Sequence, residues 1–113
     1  VVTDFETINK LVESYAMDVN ELFSVDKVVL FGSHAKGEAT AQSDIDVCFF
    51  LNSFGDMRRV DIIKALLGLM RNYERIHFEP IVFPTAEIQN DNPFVKEILR
   101  TGKEVNFKCD TTI

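Results

Sequence analysis

Val28-Val29-Leu30-Phe31-Gly32-Ser33, followed after ten residues by Asp44-Ile45-Asp46, is the stretch whose reading decides the fold. Val25 to Phe31 is rich in β-forming residues and reads as an interior strand that stops at Gly32. Gly32 lets the backbone turn sharply and approach a ligand closely, and Ser33 adds a hydroxyl beside amides able to form an anion-binding nest suited to triphosphate oxygens. Asp44 to Leu51 returns to strand character. On an extended segment Asp44 and Asp46 send their carboxylates to the same face, about 7 Å apart along the backbone, where they can share one cation cluster. The next residues on that face are Cys48 and Phe50, so it turns apolar beyond the acidic pair, which a purely wet strand explains poorly.

Outward from this stretch, Ile8, Leu11, Val12, Tyr15, Val19 and Leu22 recur at helical spacing behind Asp4, a candidate cap. Gly32 to Ser43 is small and polar, a loop with room for one helical turn. A helix from about Asp56 to Tyr73 carries Val60, Ile63, Leu67 and Met70 as its apolar stripe, widened by Ile62, Leu66 and Leu69. Ile76 to Phe83 is a third strand, and Pro80 within it points to an edge or a bulge because proline cannot donate to a ladder. A short helix around Phe94 to Leu99 ends near Gly102, and Val105 with Phe107 suggests a final strand. Together these elements predict a single layered α and β domain over residues 1–113, with helices covering a three- or four-stranded sheet.

Twelve basic against eighteen acidic residues give a formal charge of -6, which disfavours extended binding to nucleic acid or an anionic membrane. Arg58, Arg59, Lys64, Arg71 and Arg75 along the long helix are diluted by Asp56, Asp61 and Glu74 and read as ordinary solvent-facing charge. Cys48 and Cys109 are too few for a disulfide framework and fit a reducing cytoplasm. The chain has no apolar run long enough to span a membrane, and its opening residues lack the pattern of a signal peptide. Ten Phe in so small a domain exceed what its core can hide and predict an apolar patch for self-association or another protein.

Two carboxylates beside phosphate repel each other and the substrate unless a cation intervenes, and Mg²⁺, or Mn²⁺, is the hard-ligand choice. Glu79 is the best third carboxylate: if the third strand lies beside the Asp strand, it completes the cation site or accepts a proton from an acceptor hydroxyl. His77, two residues earlier, would face the same side, yet a lone His on such a strand is more often structural. Taken singly, a Gly-Ser turn is common loop chemistry, two Asp flanking an Ile are the wet side of a half-buried strand, and an edge-strand Glu keeps the edge wet. The loop lacks the spaced glycines of a dinucleotide fold and the Gly-Lys-Ser/Thr ending of a P-loop. His34, Cys48, His77 and Cys109 form no zinc-ligand pair.

Gly32-Ser33, ten residues and Asp44-Ile45-Asp46 resemble the signature of the minimal nucleotidyltransferase domains of the DNA-polymerase-beta-like superfamily. Ala35 and Gly37 match the small positions of that family's phosphate loop, and Ser43 precedes the first Asp as it often does there. Phe78-Glu79-Pro80-Ile81-Val82, Asn92-Pro93-Phe94-Val95 and Gly102-Lys103-Glu104 resemble its C-terminal half. The resemblance implies an α+β fold with a mixed sheet and flanking helices. It implies that Gly32 and Ser33 contact the triphosphate of ATP, Asp44 and Asp46 ligate the cations, and Glu79 is the third acidic residue. His34 stands where many relatives have Arg, leaving His34 or Lys36 to supply a different positive contact. The resemblance also implies transfer of a nucleoside monophosphate to a hydroxyl, notably on an all-helical HEPN-domain toxin. The competing expectation is a noncatalytic module that retains the fold and masks a partner by binding alone.

Overall fold

The computed structural model of the protein describes residues 5–40 and 43–107. In chain order it comprises α1 (Phe5–Leu22), β1 (Val25–Phe31), α2 (Ser33–Lys36), β2 (Ile45–Leu51), α3 (Arg59–Gly68), β3 (Phe78–Pro84), α4 (Pro93–Thr101) and β4 (Lys103–Glu104), with short 3-10 segments at Leu69–Asn72 and Thr85–Gln89. The strands form one mixed sheet in the order β3-β2-β1-β4. β1 is antiparallel to both β2 and β4, whereas β2 and β3 run parallel through the crossover helix α3. β3 is therefore an edge, as Pro80 requires. Arg59 covers part of that edge: its Nε donates to the Val82 carbonyl at 3.0 Å, and its guanidinium lies 5.6 and 5.2 Å from the Phe54 and Phe83 ring centres.

The two faces of the sheet bury separate cores. On one, α1 and α3 lay Ile8, Val12, Val19, Ile62 and Leu66 over Val28, Leu30, Val47, Phe49 and Val82. Tyr15 is the pin of this core: it stacks on Phe78 at 4.2 Å, meets Phe49 edge-on at 5.7 Å and donates its hydroxyl to the Leu66 carbonyl at 2.6 Å. Each aromatic pair is worth about 0.5–1.5 kcal/mol beyond the area it buries. They tie α1, α3 and the start of β3 into one unit. On the other face α4 sets Val95 and Ile98 against Val29, Cys48 and Phe50. α4 begins there because Asn92 Oδ1 accepts from the amides of Phe94 and Val95 at 3.0 and 3.2 Å, with Pro93 in the first turn. Desolvation in this second core pushes the Cys48 thiol up to about 12, the mark of an inert structural cysteine.

Several expectations change in detail. Val60 and Leu67, read as part of the buried stripe of the long helix, are 47% and 46% exposed, and Ile62 and Leu66 take their place against the sheet. Leu22 at the end of α1 is likewise exposed. The long helix is shorter than its pattern, starting at Arg59 and tightening into a 3-10 turn after Gly68. Val105 and Phe107 are buried just beyond the last strand, whose paired residues are Lys103 and Glu104. β3 begins at Phe78, so His77 lies ahead of it. Of the ten Phe, only Phe5 and Phe94 rank among the exposed large apolar side chains, so the core hides more of them than expected. Asp4, the candidate cap, and Cys109 fall outside the described residues. Among the described residues no helix is long and apolar enough to cross a membrane.

Candidate active site

Alternation along β2 sends Ile45, Val47, Phe49 and Leu51 into the main core and leaves Asp46, Cys48 and Phe50 on the α4 face. Cys48 and Phe50 are covered by α4; Asp46, nearest the start of the strand, is only half-buried. The parallel register sets Asp46 opposite Glu79 on β3, and the antiparallel register sets it opposite Phe31, the last residue before Gly32. Three segments distant in sequence thus meet at Asp46.

Gly32 adopts φ 76°, ψ -153°, a conformation that side chains other than hydrogen avoid. A Cβ built there would lie 2.1 Å from Asp46 Oδ2. The space left by the missing side chain is where the Asp46 carboxylate sits, so glycine serves both the turn and the acid. Beyond it, the Gly32 carbonyl accepts from the amides of Ala35 and Lys36, both at 3.1 Å, forming the single turn of α2. Gly37 closes that turn in the left-handed conformation, its amide returning to the Ser33 carbonyl.

Glu79, paired with Asp46 across β2 and β3, has a side chain near enough to Asp46 and Asp44 for a proton to be shared with either acid. This sharing, with Asp46 foremost, raises the Glu79 carboxyl above its ordinary value: a proton held between acids favours the neutral form. Asp46 is raised as well, chiefly by burial and further by the charge of Asp44, against the opposing effects of the proton shared with Glu79 and the nearby His34. All three offer hard oxygen donors and so suit Mg²⁺ or Mn²⁺ in kind. Among the described residues no three His, Cys, Asp or Glu side chains are arrayed to hold a metal ion.

These raised values make stability depend on pH with a definite sign. The folded, metal-free domain keeps protons that the unfolded chain releases, so its stability rises as pH falls through the raised values toward the ordinary carboxylate range of about 4. Above the raised values this contribution is absent. In EDTA, the melting temperature of wild type relative to an Asp46→Asn, Glu79→Gln variant is expected to increase as the pH is lowered from neutrality toward the ordinary carboxylate range of about 4. A difference that stays flat over that whole range would mean that the two acids titrate normally.

The auxiliary positions fall differently. His34 is buried, and its Nε2 lies 3.3 Å from the Ser43 carbonyl, so it ties the turn after Gly32 to the residue preceding Asp44. The Ser43 side chain accepts from the Thr40 amide at 2.9 Å, closing the far end of the loop. Lys36 is exposed. His77 is exposed too, and its role in the fold is through its backbone: its carbonyl accepts from the Ile45 amide at 2.8 Å, extending the β2–β3 pairing toward Asp44. The tie made by His34 was missed in the sequence, where the only signal is a His and a Ser at the two ends of a polar loop.

Comparison with known proteins finds relatives in sequence and in fold. A Methanocaldococcus jannaschii protein, "Putative protein adenylyltransferase MJ0141", is 26% identical over 101 residues, which cover 87% of this chain and 98% of that one. "Protein adenylyltransferase MntA" of Thermococcus cleftensis is 28% identical over 68 residues, covering 57% of this chain and 69% of that protein. A crystal structure titled as a putative nucleotidyltransferase from Sulfolobus solfataricus shares the fold with a TM-score of 0.56 over 75% of this chain and 74% of that one, at 24% identity. The sequence pattern of the nucleotidyltransferase domain family matches residues 12–103. With that pattern spanning every element from the middle of α1 to the start of β4, the chain belongs to the nucleotidyltransferase domain family.

Proposed function

We propose that this domain transfers AMP from ATP to a hydroxyl group on a partner protein, releasing pyrophosphate. The observation that carries the proposal is that the registers of β1, β2 and β3 set Asp46 beside Glu79 and next to the end of β1, where it packs on Gly32, with Asp44 close by. Three acids forced to share protons are poor company for one another and good ligands for divalent cations. The relatives named as protein adenylyltransferases favour a protein acceptor and AMP as the group transferred.

In this reading the acceptor oxygen attacks the α-phosphorus of ATP, the bond from that phosphorus to the bridging oxygen breaks, and pyrophosphate leaves with the electron pair. Asp44 and Asp46 would hold Mg²⁺, with Glu79 as third ligand; when bound, the cation supplies charge neutralisation of the phosphates. Gly32 and Ser33 bring backbone amides and a hydroxyl to the triphosphate with no side chain in between. Alternatively to ligating the cation, Glu79 as a free carboxylate would take the hydroxyl proton, directly or through a water. His34 holds the loop in place, and Lys36, exposed at its tip, is available to a phosphate. The proposed acceptor is a side-chain hydroxyl of a HEPN-domain toxin in the cytoplasm.

The direct test is transfer of label from α-labelled ATP to such a partner in Mg²⁺, with loss of label in EDTA. A folded, Mg²⁺-supplied protein that labels no HEPN partner from any nucleoside triphosphate would overturn the reading. Glu79→Gln keeps the shape and removes the charge, so transfer is expected to fall about a hundredfold or more, with metal-free thermal stability unchanged or higher because like-charge repulsion is relieved. Initial rates at saturating Mg²⁺ near those of wild type would remove Glu79 from the catalytic set.

A further inference from the structure

The helical layer opposite the acidic cleft presents a face that none of the described residues covers. On α3 and its 3-10 extension, Val60, Lys64, Leu67, Gly68 and Arg71 all point away from the sheet, and each is exposed. Gly68 is unexplained by the fold. It has ordinary right-handed helical angles, φ -62° and ψ -31°, and a Cβ added there would meet nothing within 4 Å. Gly68 stands where α3 tightens into the 3-10 turn, and its carbonyl accepts from Arg71 Nε at 3.2 Å, but neither needs a missing side chain; a helical glycine destabilises relative to alanine, so one whose Cβ position is empty suits a close approach from outside.

The matching surface is on α1. Met17 is 41% exposed on its outer side, with Glu13 and Glu21 one turn to either side. Glu13 and Glu21 are about 12 Å apart along the helix axis. Lys64 and Arg71 are separated by about the same distance, allowing for the tighter rise of the 3-10 turn. The basic pair brackets Leu67 and Gly68 as the acidic pair brackets Met17.

The topology allows the two surfaces to meet twice. α1 runs opposite to β1, into which it leads; α3 runs opposite to the parallel strands β2 and β3 that it connects; and β1 is antiparallel to β2. α1 and α3 therefore run in opposite directions on one face of the sheet, joined by the Tyr15 hydroxyl on the Leu66 carbonyl, and the Tyr73 hydroxyl on Asp18 ties α1 to the residue after the 3-10 segment. A two-fold axis lying along the helices lays α1 of one copy antiparallel over α3 of the other, and the reverse contact follows by symmetry.

We propose that the chain forms a two-fold homodimer through this layer, Met17 of each copy seated on Leu67 and Gly68 of the other, with Glu13 facing Arg71 and Glu21 facing Lys64. The contact leaves Asp46 and the α4 face open, since these lie across the sheet. It does not depend on the transferase reading.

Sedimentation equilibrium of the whole chain tests it. The expected result is a concentration-dependent dimer that weakens as salt screens the ion pairs, and that weakens by about tenfold or more in Leu67→Glu or Gly68→Leu. Both substitutions are at exposed positions, so circular dichroism melts should show folded domains. The decisive measurement is a charge exchange. Glu13→Lys with Glu21→Lys in one chain, or Lys64→Glu with Arg71→Glu in another, should each give monomers, and mixing the two variants should restore a heterodimer. A wild-type chain that stays monomeric at millimolar concentration, a dimer indifferent to Leu67→Glu and Gly68→Leu, or folded charge variants that fail to pair on mixing would each overturn the proposal.

Discussion

Converting Asp44 and Asp46 together to Asn is expected to lower the initial rate of AMP transfer about a thousandfold while leaving the metal-free domain as stable as wild type or more so. The two effects have one cause. Asp46 is half-buried against Gly32, beside Asp44 and Glu79, so its charge is costly to the fold in the absence of a cation. Asn retains the shape and a hydrogen-bonding oxygen but offers no anionic ligand for a divalent ion. The check is a paired measurement of initial rate at saturating Mg²⁺ and of thermal unfolding in EDTA. A double variant retaining more than about a tenth of the wild-type rate would remove the two aspartates from the chemistry. The same variant separates catalysis from masking: if it still neutralises the partner while transferring nothing, protection comes from binding, and the noncatalytic module is the correct description.

Gly32→Ala is the second large effect, and its control lies five residues away. At Gly32 a Cβ would stand 2.1 Å from Asp46 Oδ2, so alanine must displace the carboxylate. Its backbone angles of 76° and -153° lie in a region populated almost only by glycine, at a cost of about 1–3 kcal/mol for another residue. Gly37, at φ 75°, also has positive φ, but a Cβ there meets nothing within 4 Å. Both alanine variants are therefore expected to melt lower than wild type, by roughly 5–15 °C for Gly32→Ala and less for Gly37→Ala. Measured well below those melting temperatures, transfer should fall about a hundredfold in Gly32→Ala and stay near wild type in Gly37→Ala. Equal rates in the two variants would show that the packing of Asp46 on Gly32 is not what positions the acid.

The strand assignments show how much short-range pattern can carry. Because successive side chains on a strand alternate, Asp46, Cys48 and Phe50 had to share a face, and the change from acidic to apolar along it spoke against a purely wet strand; α4 covers Cys48 and Phe50 and leaves Asp46 half-buried. Pro80 marked an edge because it lacks an amide hydrogen, and the sheet order places β3 there. The long helix behaves differently. Its apolar residues surround most of the cylinder, so periodicity could not choose between the stripe of Val60 and Leu67 and that of Ile62 and Leu66. Only packing against β3 and Tyr15 turns Ile62 and Leu66 inward and leaves the other pair outside.

The candidate site divides along the same line. Local sequence by itself determined the Gly-Ser turn and the spacing of Asp44 and Asp46, since both depend on backbone geometry over a few residues. The meeting of Glu79 with the aspartates follows from the parallel register of strands joined by a 26-residue crossover, Asn52 to His77, which no local pattern encodes. Tertiary structure alone decided that Gly32 is required by the carboxylate as much as by the turn, and that His34 is committed to the Ser43 carbonyl. A backbone's own preferences are set by neighbours in sequence; the space a carboxylate occupies, and the protons it shares, are set by neighbours that only folding supplies.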